Sequence, residues 1–163
     1  MGYTTEFTGS LELSQQATVE QIKYINDFSD SRRMKRDVKK LNEIYQGEHG
    51  FNGEYGIEGE YFIGGGELMG VNRDESIIDH NEPPVTQPSL WCQWVLSDDG
   101  MRLEWDGSEK FYSYVEWLKY LIDHFFKKWG INLNGKIIWQ GEDMEDRGKI
   151  TVMDNTVVVK ELE

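Results

Sequence analysis

The chain has 163 residues and a formal net charge of -13, with 30 acidic against 17 basic residues. Its length suits one domain, residues 1–163, large enough to bury a core without staples. The 13% aromatic content excludes a disordered acidic tail, and an acidic field of this size repels nucleic acid and anionic membranes.

That charge leaves basic partners, proteins and small ligands open. A single cysteine, Cys92, cannot close an internal disulfide and fits a reducing compartment. Residues 1–16 (MGYTTEFTGSLELSQQ) lack the basic start and apolar run of a signal peptide. Glu6 stands where a myristoylation signal requires Ser or Thr, and no apolar run reaches the length of a membrane span. The expectation is a soluble, cytoplasmic protein.

In chain order, residues 3–13 predict a strand with a break at Gly9. Thr18 and Gln21 have the capping-box spacing. Ile22, Ile25 and Phe28 follow at helical intervals, and Ser29–Ser31 interrupts them. A second helix is expected from Arg32 to Tyr45. Met34, Val38, Leu41 and Tyr45 share one face, and Arg32, Arg33, Lys35, Arg36, Lys39 and Lys40 take the other. Those six are a large share of the chain's 17 basic residues.

Residues 47–59 (GEHGFNGEYGIEG) place glycine at every third position. A collagen helix needs proline, and none is present here; the phosphate-loop pattern GxxxxGK[ST] is also missing. A period of two fits better. Phe51, Tyr55, Ile57, Tyr61 and Ile63 are at odd positions, with Asn52, Glu54, Glu58 and Glu60 at even ones. This predicts a long curved strand over 51–63, its glycines serving as bends or close approaches, ended by Gly64, Gly65 and Gly66. Residues 64–89 hold all three prolines and read as a long ordered loop.

LWCQWVL then reads as a strand, SDDG as a turn and MRLEW as the returning strand. Ser108 is a plausible N-cap for a helix over 109–129, in which Phe111, Val115, Leu118, Ile122, Phe125 and Trp129 form a stripe ended by Gly130. KIIWQG is a strand, EDMEDRG a solvated acidic turn, and KITVM-DN-TVVVK a hairpin around Asp154 and Asn155. The sum is α+β: a mainly antiparallel sheet packed against two to three helices.

The candidate binding residues are Arg32, Arg33, Arg36, Lys40, His80, Glu82 and Trp91. The basic ridge is either an anion site, since guanidinium suits phosphate or carboxylate, or a solvated face neutralised by the chain's own Glu54, Glu58 and Glu60. Asp79, His80 and Glu82 are raw material for acid–base or metal chemistry, but no metal-ligand spacing is present; a hydrogen-bonded loop explains them equally. Of Trp91 and Trp94, alternation puts one in the core; the other either stacks on a base or planar ligand or packs on the sheet as well. No motif implies a cofactor, a metal or a catalytic residue.

TTEFTG, SRRMKRD, GEYGIEGEYF, NEPPVTQPSLWCQW and EKFYSYVEWLKYLIDHFF together resemble a family of small proteins of tailed phages and bacterial genomes that carries no assigned activity. The resemblance covers most of the chain and implies a cytoplasmic single-domain protein of phage or bacterial origin. By analogy it suggests host takeover or evasion of bacterial defence. The first functional reading is therefore a non-catalytic binding protein that engages a host defence or regulatory protein, or a nucleotide, through the ridge and residues 79–94. The alternative is a small hydrolase or transferase acting on a phosphorylated or nucleotide substrate. There His80 with Asp79 or Glu82 would move protons and the arginines would hold phosphate. Mimicry of nucleic acid by the acidic surface is a third.

Overall fold

A computed structural model describes residues 2–64 and 74–162. Two compact units divide the chain: Met1–Lys23 with Gln93–Glu163, and Tyr24–Cys92. The fold is α+β. Among the described residues it has three α-helices, a six-stranded antiparallel sheet and a two-stranded one.

The first unit is organised by its first strand, β1 (Thr5–Leu13). Phe7, Leu11 and Leu13 are buried while Glu6, Thr8 and Glu12 are exposed, so one face turns inward. Gly9 does not break the strand; it pairs with Ile137. The remaining strands are β4 (Trp94–Leu96), β5 (Arg102–Trp105), β6 (Leu133–Gly141), β7 (Arg147–Met153) and β8 (Thr156–Glu161). Their order is β4-β5-β1-β6-β7-β8, which puts β1 inside the sheet and β8 at an edge. Asp154 and Asn155, with φ of 46° and 70°, make the two-residue β7–β8 turn that the sequence predicted. The Asn155 side chain anchors it, accepting from Leu133 N at 2.7 Å and donating to Ile131 O at 3.0 Å.

Helix α3 (Tyr114–Leu121) lies on the inner face and buries Trp117, Leu118, Tyr120 and Leu121. The Tyr114 ring is 4.9 Å from Phe7 and 5.8 Å from Trp139, and its carbonyl accepts the Trp94 indole N–H at 2.9 Å. Phe7 also meets Trp94 and Trp105 edge-on, both at 5.3 Å. Gly148 needs its glycine because Trp139 packs where a Cβ would project. Past Leu121 the helix widens into a π-turn, Ile122–Phe126, closed by Lys127 N to Ile122 O at 2.9 Å. A wider turn advances each residue through a smaller angle, which carries Phe126 into the buried stripe with Ile122 and Phe125.

This helix starts later than its spacing predicted. Lys110 and Ser113 have φ of 63° and 58°, outside the helical region, and Ser108 caps nothing. Phe111 is a buried loop residue 5.1 Å from Trp94, so its helical interval from Val115 is coincidental.

Helix α1 (Val19–Ser29) begins in the first unit and continues from Tyr24 in the second, where it buries Tyr24, Ile25 and Phe28. At the start of α1 the capping box is formed in both directions: Gln21 N donates to Thr18 Oγ1 at 3.1 Å and Thr18 N to Gln21 Oε1 at 2.9 Å. The expected helix over Arg32–Tyr45 is only half correct, because α2 spans Val38–Tyr45 with Asp37 as its N-cap. Upstream of Asp37 the backbone is extended. Arg33, Lys35 and Asp37 donate their amides to Leu90, Glu82 and Ser76 rather than to the preceding helical turn. Lys35–Arg36 form β2 against β3 (Ile77–Asp79). The basic residues therefore do not form one helix face.

The strand expected over 51–63 is absent. Asn52, Gly53, Gly56, Glu58 and Gly59 all have positive φ, which strand backbone does not allow. The segment is a string of turns with a 3-10 turn at Ile57–Gly59. Tyr55 and Phe62 drop from it into a cluster with Leu41, while Ile57 is exposed. Gly59 needs its glycine twice, for a φ of 78° and for the close approach of the Arg36 side chain. Gly65 and Gly66, expected to end the strand, and the first part of the proline loop lie outside the described residues. No described helix is long and apolar enough to cross a membrane.

Two substitutions test this account by urea denaturation. Phe7→Ala empties a site shared by four aromatic neighbours and should destabilise by about 3–5 kcal/mol. Thr18→Ala removes only the cap and should cost about 1 kcal/mol.

Candidate binding surface

The ridge arginines have separate environments. Arg33 is 2% exposed. Its guanidinium donates to the carbonyls of Phe62 at 2.6 Å and Glu60 at 3.0 Å and lies 4.1 Å over the Phe28 ring. Arg36 is equally buried. It donates to Ser76 Oγ at 2.8 Å, pairs with Asp74 at 3.4 Å and sits 4.5 Å over Phe62. Both guanidiniums act as internal ties between loops that have little regular structure of their own.

Asp74 completes the second tie. Burial by itself pushes its carboxyl up, but hydrogen bonds from Ser76 and from Tyr45 (2.5 Å), with the Arg36 charge, outweigh burial and hold its pKa below the usual carboxylate range. Burial also pulls the Arg36 pKa down, against the opposing pull of Asp74. The glutamates expected to neutralise the ridge do so in part. Lys35 Nζ is 3.9 Å from Glu58 and 3.6 Å from Glu82. Glu60 instead accepts from Ile57 N and Thr86 Oγ1, and Glu58 from Val85 N.

Arg32 and His80 do meet, through the main chain: Arg32 Nε donates to His80 O at 2.9 Å and its terminal nitrogen to Asn81 Oδ1 at 3.3 Å. The His80 ring is half-buried with Nδ1 3.4 Å from Asn81 Oδ1. Glu82 is exposed and reaches Lys35, not His80. Lys40 is exposed on α2, and Trp91 is half-buried while Trp94 is fully in the core. No set of three or more His, Cys, Asp or Glu side chains is placed to hold a metal among the described residues. Of the seven sequence candidates, Arg33 and Arg36 are structural, and Arg32 and His80 are neighbours joined by a loop contact.

Comparison with protein-family models, with curated proteins and with solved structures found no match.

The outer face of the six-stranded sheet carries a second group of cations. Alternation points Lys136 of β6, Lys149 of β7 and Lys160 of β8 away from α3, with Thr8, Ile138, Thr151 and Val158 between them. Lys149 is directly opposite Lys160 in the ladder. Opposed residues have Cβ atoms about 5 Å apart, and like charges there are destabilising. Lys136, paired with Thr151, is diagonal to Lys149, at roughly 7–8 Å by the same geometry. None of the three has a carboxylate within ion-pair distance among the described residues. The opposite half of this face is acidic, with Glu6 and Glu12 on β1 and an exposed Arg102–Glu104 pair on β5.

The β6–β7 turn beside this face is tied down, not merely solvated. Asp146 accepts from Tyr3 Oη at 2.7 Å and Trp139 Nε1 at 3.0 Å. A cavity of about 740 Å³ opens there, lined by Gln140, Met144, Glu145, Arg147, Glu161 and Leu162. Burial, reinforced by Asp146, Glu116, Tyr3 and Glu161, pushes the Tyr114 phenol up to about 12.

The lysine trio was within reach of the sequence. Folding KITVM-DN-TVVVK about Asp154 and Asn155 aligns Lys149 with Lys160 directly. In the linear sequence the basic run at 32–40 is the denser signal, and the lysines come together only once the hairpin is folded.

If Arg33 is a tie and not a ligand contact, Arg33→Ala leaves charge-assisted carbonyl bonds unmade and should lower stability by at least ~2 kcal/mol. Lys40→Ala should stay within about 0.5 kcal/mol of the parent. Asp74 has a folded pKa below its unfolded one, so its contribution is full above the usual carboxylate range and is lost as pH falls through the folded value. Urea midpoints taken between about pH 7 and pH 3 should therefore fall less steeply in Asp74→Asn.

Proposed function

We propose a non-catalytic cytoplasmic binding protein whose outer sheet face engages a short acidic segment of another protein. The observation that carries this reading is the Lys149–Lys160 pair with Lys136 beside it, three like charges gathered on the outer sheet face of a strongly acidic chain. Such a cluster is relieved by an anion. At physiological salt, charges act over about 8 Å. A short acidic segment laid along β7 and β8 meets Lys149 and Lys160 first, with Glu12 no nearer than the far side of Lys136, whereas the further phosphates of a nucleic acid meet the acidic remainder. The described residues of this half-face include no aromatic ring on which a base could stack.

In the phage or bacterial setting implied by the sequence resemblance, the partner is a host regulatory or defence protein. The buried engagement of Arg33 and Arg36 weighs against the hydrolase or transferase reading, which needed those arginines for phosphate.

The test is fluorescence anisotropy with a labelled, extended Asp/Glu-rich nonapeptide, with ATP, inorganic phosphate and a short single-stranded oligonucleotide as competitors. Peptide binding should weaken with salt. It should fall about tenfold or more in Lys149→Glu/Lys160→Glu, on the order of 1.4 kcal/mol, and be unchanged in Lys39→Glu/Lys40→Glu. Equal binding by parent and double variant would remove the lysine face from consideration. Preferential displacement by ATP or phosphate would replace the peptide with a nucleotide-type ligand.

A further inference from the structure

Beyond the acidic-partner reading, and independent of it, is the state of β8. It is the edge of the sheet and pairs with β7 alone. Edge strands are normally protected by proline, a bulge, a cluster of charges or a covering element. The β8 register runs unbroken from Met153↔Thr156 to Gly148↔Glu161 and contains no proline. All of its side chains except the half-buried Val157 are exposed, with Val158 at 58% and Val159 at 43%.

The direction of its free hydrogen-bonding groups follows from the turn. A two-residue hairpin makes Met153 and Thr156 a hydrogen-bonded pair, and pairs alternate from there. Thr156, Val158 and Lys160 then direct their backbone groups at β7; Leu162 N, bonded to Arg147 O at 2.9 Å, continues that phase. Val157, Val159 and Glu161 direct theirs outward, where nothing in the ladder meets them.

We infer that two copies of the chain join at β8, antiparallel about a two-fold axis through Val158, to make one continuous sheet. The strand sequence selects this occupant and this register. A two-fold axis normal to the sheet keeps each residue on its own face, so only residues of equal parity can pair. Centred on Val158, the pairing places Val157 against Val159 of the second copy, Val158 against its own equivalent and Lys160 against Thr156. Every valine then meets a valine, which suits β-branched cross-strand contacts, and no like charges are opposed. Centring on Val159 would instead place Val157 against Glu161. The two Lys160 side chains are four residues apart along the strand, about 13 Å, beyond the screening length of about 8 Å. The lysine trios of both copies share one face of the joined sheet.

Association at β8 has a salt signature opposite to that of acidic-peptide binding. Two bodies of charge -13 repel, so salt should strengthen self-association while it weakens peptide capture. This separates failure of one proposal from failure of the other.

The experiment is sedimentation equilibrium of the full chain at low and moderate salt, with circular dichroism to verify folding. The parent should be a dimer in the micromolar range. Val158→Lys puts two charges on the axis and should weaken self-association at least tenfold without altering the spectrum, since position 158 is exposed. Val158→Cys supplies a second test that needs no loss of binding. Mild oxidation should cross-link it to a covalent dimer, and Thr156→Cys should not cross-link. A monomeric parent at several hundred micromolar overturns the inference. So does a dimer that survives Val158→Lys, or a Val158→Cys variant that fails to cross-link.

Discussion

The central constraint on the first unit is the pairing of β1 on both of its sides. Glu12 is opposite Arg102 on one side and Asn134 on the other, and the β1–β6 ladder runs the full nine residues from Thr5 to Leu13. Both partners are some ninety or more positions away, so closing these contacts carries a large loop entropy that local propensity cannot repay. Once made, they define everything else in the unit. They orient Phe7 toward α3, Trp94 and Trp105, they put β6 and β7 in order outward from the centre, and they leave β8 as the last strand. The open face and the free edge both follow from which strand took the middle.

In the second unit, order comes from charge as much as from apolar packing. Tyr55, Phe62 and Leu41 form a small core. Around it the loops have few ladder bonds, and their carbonyls must be satisfied by something. Arg33 provides this for Phe62 and Glu60, while Arg36 ties the β2–β3 side through side chains, the Asp74 carboxylate and the Ser76 hydroxyl. A guanidinium suits the role because it offers several donors in a fixed plane and stacks on Phe28 or Phe62 with its flat face. Positive charge that looked available for a ligand is therefore consumed in folding.

Outside these ties, the cations of the outer sheet face stand on the surface. Lys136, Lys149 and Lys160 are held on paired strands, so the ladder fixes the spacing at which their side chains start. An acidic protein segment is the proposed partner of this face. The edge beside it suits a strand, and β8 matches itself.

The elements with local signals were readable from the chain. The capping box at Thr18 and Gln21 depends on two side chains three residues apart. The Asp154–Asn155 hairpin depends on two residues that tolerate positive φ. The α3 stripe and the alternation of β1 and β7 depend on periods that neighbouring residues enforce. The misread elements have a common cause. Residues 32–37 have helical spacing but find better hydrogen-bond partners at residues 76–90, which are distant in sequence. Residues 51–63 alternate like a strand, yet their glycines permit the positive φ that lets Tyr55 and Phe62 turn into a core supplied by α2. By itself, then, the sequence determined the α+β class, the hairpins and the capping box of α1, because these rest on contacts within a few residues. Only the tertiary structure decided which cations are buried as ties and which stand on the surface, because a side chain's charge is local but its burial depends on what packs against it.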